Sequence, residues 1–164
     1  MTAKRIEAVL RPASVAVVGA SDTPGSIGEV LCRNLHEGGF RGPVFYVNPR
    51  HASIGDKPSY PDVRSLPQTV DVAIIATPPP TLPTVLEHCG ERGVRGAIIV
   101  SAGFREGGEA GAACESSMLQ VARLARMRFA AARAGRVDPR YYKVFKCEAE
   151  PPELAAVTRN VINL

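Results

Sequence analysis

The sequence predicts an α/β fold in which a doubly wound parallel sheet carries helices on both faces. Three observations lead there. Residues 14–18, 44–47, 70–76 and 97–100 are apolar almost throughout, as strands covered on both sides must be. The stretches between them repeat apolar residues at helical spacing. Glycine or proline closes nearly every segment, so the connections are short and tight.

In chain order, residues 2–11 suit a short amphipathic helix with Ile6, Val9 and Leu10 on one side, stopped by Pro12. Residues 14–18, SVAVV, form the first strand and run into a glycine-rich turn. Ile27, Val30, Leu31 and Leu35 then mark a helix that starts near Ser26 and stops at Gly38-Gly39. The second strand, VFYV at 44–47, ends in Asn48-Pro49-Arg50. Residues 51–66 are rich in turn formers, and 57–60 suit a short edge strand because Pro58 lacks the amide hydrogen a central strand needs. Residues 70–76, VDVAIIA, are the cleanest buried strand, closed by Thr77-Pro78-Pro79-Pro80. Leu82, Val85, Leu86 and Cys89 line the next helix, which ends near Gly90 and Gly93. The strand at 97–100 leads into Ser101-Ala102-Gly103-Phe104, and 109–127 form a long helix with Cys114, Met118 and Val121 on one side.

Right-handed crossovers make this a Rossmann-like domain of strand order 3-2-1-4-5, with its ligand crevice over the carboxyl ends of the first and fourth strands. The pattern degrades from Phe129 onward. Residues 130–140 are an Ala/Arg/Gly run with no strand signal, although the fold wants another strand there. Residues 141–146 have no clear period, and 153–164 suit a terminal helix. The expected organisation is one Rossmann-like domain over 1–129 and an atypical tail over 130–164.

Composition limits the function classes. At 164 residues, 45% hydrophobic and 22% charged, the chain has the make-up of one soluble domain. It has no apolar run long enough for a bilayer, and residues 1–11 lack the apolar segment of a secretory signal, so a cytoplasmic address without membrane attachment is the default expectation. Cys32, Cys89, Cys114 and Cys147 stand singly, without the paired spacing of a zinc or dithiol site, and are expected to pack as small apolar residues. A net charge of +4 favours an anionic ligand but is too small, and too free of basic stripes, to indicate nucleic acid. No residue is assigned a catalytic or metal-binding role. His51 and His88 read as a surface and a helix residue.

The chemistry-bearing stretch is residues 14–28, SVAVVGASDTPGSIG. A strand ending in small residues just before a helix start sets backbone amides beside the positive end of a helix dipole, which suits phosphate. Two familiar glycine motifs do not fit. No lysine follows Gly19 or Gly25, as ATP hydrolysis at a P-loop requires. Gly19 is separated from Gly25 by five residues, a longer loop than the dinucleotide fingerprint uses. Where an NAD site has an acidic residue after the second strand, this chain has Asn48 and Arg50, and a guanidinium there suits a ribose phosphate. The residues leave NADP and coenzyme A, whose ribose carries a 3′-phosphate.

RPASVAVVGASDTPGSIG, FRGPVFYVNPR and VDVAIIATPPPTLPTVLEHCGERGVRGAIIVSAGF, followed by an acidic-glycine linker and a helix, resemble the coenzyme A-binding domain of NDP-forming acyl-CoA synthetases, relatives of the succinyl-CoA synthetase α subunit. The resemblance covers about residues 11–129. It implies a phosphate loop at Gly19, Ala20, Ser21, Pro24, Gly25 and Ser26 and a phosphate contact at Arg50 beside Asn48. It also implies that Thr77, Pro78 and Pro79 flank the adenine or pantetheine, and that Ser101, Ala102, Gly103 and Phe104 form the next crevice loop. The implied ligand is coenzyme A or an acyl-CoA.

In that family a strand with a Gly-Pro-Asn-Cys motif follows the last helix, then a domain with a phosphorylated histidine, and an ATP-grasp module completes the ligase. Here Met127-Arg128-Phe129 starts the strand but residues 130–140 replace the motif, as in a truncated or frame-altered gene, and His36, His51 and His88 match no catalytic position. The expectation is a chain that supplies the thiol substrate's site of an acid-thiol ligase, with an ATP-grasp ligase subunit in trans, and that is not catalytic alone. A non-catalytic coenzyme A sensor, like the domain that heads some protein lysine acetyltransferases, an NADP-dependent oxidoreductase and a defective fragment are the other readings.

Overall fold

The computed structural model describes residues 11–100, Glu109, Ala113, Ser116, Ser117, Gln120 and the backbone of residues 128–132. Its strands are β1 (Val15–Val18), β2 (Val44–Val47), β3 (Ser53–Ile54), β4 (Lys57–Tyr60), β5 (Val72–Ile75), β6 (Gly96–Val100) and β7 (Arg128–Ala132). Helix α1 (Ile27–Glu37) follows β1, and α2 (Leu82–Glu91) follows β5. The sheet order is β3-β4-β2-β1-β5-β6-β7, parallel throughout except for β3, which pairs antiparallel with β4. From β4 to β6 this is the 3-2-1-4-5 order expected from the sequence, with 57–60 as the third strand.

Two expectations need correction. The residue-57 strand does not end the sheet, because Ser53 and Ile54 pair on its outer side, Ser53 opposite Pro58. At the other side β7 continues through Ala132, where sequence shows no strand signal. Its register, Gly96 beside Arg128 through Val100 beside Ala132, runs along the whole of β6. Alanine has little strand preference of its own, so pairing with β6 imposes the strand. The other segments assigned to 1–10, 101–108, 133–164 and most of the 109–127 helix lie outside the described residues.

Alternation along the strands divides the core into two layers. Val15, Val17, Val72, Ile74 and Ile98 face Leu31 and Leu35 of α1. Ala16, Val18, Ala73, Ile75 and Ile99 face Leu82, Leu86 and Cys89 of α2. Both sides of β1 and β5 are therefore buried, which explains their unbroken apolar sequences. At the amino ends of the strands, Asp71 ties the elements together: its carboxylate accepts from the Ala13 amide at 2.9 Å and pairs with Arg95 at 3.2 Å, while its own amide donates to the Ser14 hydroxyl at 3.1 Å. The opposite, carboxyl rim carries the loops that follow β1, β2 and β5. Because β2 lies on one side of β1 and β5, reached after the chain crosses back, lies on the other, the strand order reverses at β1 and the rim opens between β1 and β5.

Candidate functional site

The loop after β1 begins at Gly19, whose φ of 88° is reached readily only by glycine. A β-carbon there would overlap the Ala76 carbonyl and lie 3.2 Å from Thr77 Cγ2, so the glycine lets the loops after β1 and β5 touch. The amides of Gly19 and Ala20 both donate to the Val47 carbonyl, at 2.9 and 3.3 Å. These first two amides of the loop are thus spent within the fold. The Thr23 amide is also taken, by the Ser21 hydroxyl at 3.0 Å, and the Ser26 amide by the Thr23 carbonyl at 3.1 Å. Pro24 has no amide hydrogen, and that of Gly25 (φ 77°) reaches toward Glu29 at 3.4 Å.

Anion-binding capacity is thereby concentrated at the start of α1. Ser26 is the N-cap, its hydroxyl accepting from the Glu29 amide at 3.2 Å. Among the described residues the Ile27 and Gly28 amides have no acceptor, as the first turn of a helix dictates. They point along an 11-residue helix dipole.

The turn after β2 sits against this loop. The Asn48 side chain donates from Nδ2 to the Ala20 carbonyl at 2.8 Å, and its Oδ1 accepts from the Arg50 amide at 2.9 Å. Arg50 is exposed, and none of the ion pairs among the described residues uses its guanidinium. After β5, Thr77 stands beside Gly19, and Pro78 and Pro79 enter a single 3-10 turn, Pro79–Thr81. The Thr81 hydroxyl lies 2.8 Å from the Pro78 carbonyl and 2.9 Å from the Thr77 hydroxyl, which fixes this turn.

The structure therefore brings Gly19, Ala20, Ser21, Pro24, Gly25, Ser26, Asn48, Arg50, Thr77, Pro78 and Pro79 to one rim of the sheet. Ser101, Ala102, Gly103 and Phe104, which follow β6, lie outside the described residues. Cys32 and Cys89 are free thiols; Cys114 and Cys147 also lie outside the described residues.

A second feature was not expected. A cleft of about 350 Å³ opens between α1 and the β3–β4 hairpin, lined by Ser21, Asp22, Cys32, Arg33, Tyr46 and Lys57 among others. Glu29 holds Arg33 at 2.9 Å, and the Lys57 ammonium lies 5.8 Å from the Tyr46 ring centre. Burial raises the Cys32 thiol pKa, against the Ser21 amide hydrogen that favours the thiolate. Burial also raises that of the Tyr46 phenol, with Cys32 and Asp56 adding to it. The sequence signal was present: alternation in VFYV puts Tyr46 on the α1 side. Which residues face it across the sheet edge depends on the two-residue strand β3, which has no signal of its own.

These features have relatives. The coenzyme A-binding domain family matches residues 13–139. ADP-forming acetate–CoA ligase II of Archaeoglobus fulgidus is 44% identical over 112 residues, 68% of this chain and 17% of that protein. The α subunit of ADP-forming acetate–CoA ligase I of Pyrococcus furiosus is 42% identical over 127 residues, 75% of this chain and 28% of that one. The apo structure of dinucleotide-forming acetyl-coenzyme A synthetase 1 from Ca. Korarchaeum cryptofilum superposes with a TM-score of 0.70 at 35% identity, covering 76% of this chain and 27% of that one. This chain thus spans less than a third of each of these relatives. The match begins just before β1 and takes in the glycine loop, the Asn48–Arg50 turn and the last described strand, and the chain belongs to the coenzyme A-binding domain family.

Proposed function

We propose that this carboxyl rim binds coenzyme A or an acyl-CoA as the thiol substrate's site of an NDP-forming acyl-CoA ligase. The observation that carries it is the hydrogen-bonded contact between the loop after β1 and the turn bearing the exposed Arg50, which ties the backbone of that turn to the loop that leads into α1. In this reading the Ile27 and Gly28 amides face the pyrophosphate, where a helix N-terminus favours negative charge. Arg50 meets the ribose 3′-phosphate, and Thr77 to Pro79 border the adenine or pantetheine from the β5 side. Neither an amide pair nor a guanidinium forms a thioester, so activation of the carboxylic acid falls to other modules. The subunit named α in the Pyrococcus furiosus relative supports a partner ligase subunit in trans.

Titration calorimetry of the full chain with coenzyme A, dephospho-coenzyme A, NADP and ATP tests the reading. The expected order puts coenzyme A first. No heat with coenzyme A, or tighter binding of NADP, overturns it.

A further inference from the structure

We infer that Asn48 is a positioning residue that sets selectivity for the ribose 3′-phosphate by holding Arg50, and that it does not itself contact the ligand. The inference rests on the reading of Arg50 given above. A side-chain amide offers one acceptor oxygen and two donor hydrogens. At Asn48 the oxygen is taken by the Arg50 amide at 2.9 Å and one hydrogen by the Ala20 carbonyl at 2.8 Å. The backbone is committed as well: its amide donates to the Tyr60 carbonyl at 2.9 Å, and its carbonyl accepts from His51 at 3.4 Å. The half-buried side chain faces protein on both of its functional ends.

Two constraints follow from the geometry. The bond from the Arg50 amide back to Oδ1 closes a turn two residues long, and the intervening Pro49 has its own φ fixed by its ring. The backbone at Arg50 is thus locked relative to Asn48. The bond to Ala20 then locks Asn48 to the loop after β1, across 28 residues of sequence. A guanidinium on a long side chain begins its reach from one fixed point beside the phosphate loop, so less freedom is lost when it pairs with a phosphate. An aspartate here keeps the acceptor and loses the donor, placing a carboxylate against the Ala20 carbonyl. A serine keeps a weaker form of the Arg50 turn without added charge.

The test measures affinity of the full chain for coenzyme A and dephospho-coenzyme A in the wild type, Asn48→Ala, Asn48→Ser, Arg50→Ala and the Asn48→Ala/Arg50→Ala double variant, with thermal melts to verify folding. Asn48→Ala is expected to lower the preference for coenzyme A over dephospho-coenzyme A roughly 2- to 10-fold, the worth of one net hydrogen bond. Asn48→Ser, which keeps a weaker turn and loses the bond to Ala20, should fall between wild type and Asn48→Ala, and Asn48→Ala should not lower the preference further once Arg50 is gone. If Arg50→Ala abolishes the preference while folded Asn48→Ala keeps it, or weakens both ligands equally, the inference fails and the Arg50 reading stands. Should Asn48→Ala not fold, a folded Asn48→Ser that keeps the full wild-type preference overturns it. If Arg50→Ala leaves the preference unchanged, the reading of Arg50 fails and takes this inference with it.

Discussion

A β-carbon on Gly28 would overlap the carbonyl oxygen of Gly19. The first turn of α1 thus lies directly on the loop that leaves β1, closer than any side chain permits. Gly28→Ala must push the helix away from the loop. Overpacking of this kind costs roughly 1–3 kcal/mol, so a lowered midpoint in urea is expected. Because the displaced turn carries the Ile27 and Gly28 amides, coenzyme A affinity should fall more than dephospho-coenzyme A selectivity does. A Gly28→Ala variant as stable and as tight-binding as wild type would contradict this packing.

Arg50 has no ion pair among the described residues, so its removal leaves no buried charge behind. Arg50→Ala should leave the melting temperature close to wild type while weakening coenzyme A about 10-fold or more, since a hydrogen bond to a charged group is worth about 1.5–3 kcal/mol. Dephospho-coenzyme A should lose little. Calorimetry with both ligands decides; equal losses would remove Arg50 from the 3′-phosphate.

Cys89 is fully buried on the face of α2 that meets the sheet, and burial pushes its thiol from an ordinary 9.0 up to about 12. Below pH 9 the thiol is protonated in both folded and unfolded chains and contributes no pH dependence. Between pH 9 and about 12 only the unfolded chain releases the proton, so stability falls as pH rises, by at most about 1.4 kcal/mol per pH unit. Urea midpoints at pH 8, 9, 10 and 11 should decline more steeply for wild type than for Cys89→Ala. Parallel slopes would show that this thiol ionises alike in both states.

Much of the site was legible because the signals were local. The apolar runs at β1 and β5, the serine that caps α1 and the prolines that open the turn after β5 each act on their immediate neighbours. What escaped depends on partners distant in sequence. Nothing near Gly19 or Ala20 announces that their amides are taken by Val47, because that follows from the register of β1 against β2. Likewise β7 owes its conformation to β6 more than to its alanines, and the α1-side cleft owes its far wall to the β3–β4 hairpin. Asn48 was legible as a residue near the phosphate loop; that both ends of its amide are engaged by protein was not.

The hairpin has one more effect. Among the described residues the outermost strand on its side, Ser53–Ile54, is two residues long. A neighbouring molecule that approached this border would find almost no ladder to copy, and open borders are where native proteins first stick to one another. The short strand therefore does here what longer edges need charges or bulges to do: it leaves little exposed backbone for pairing.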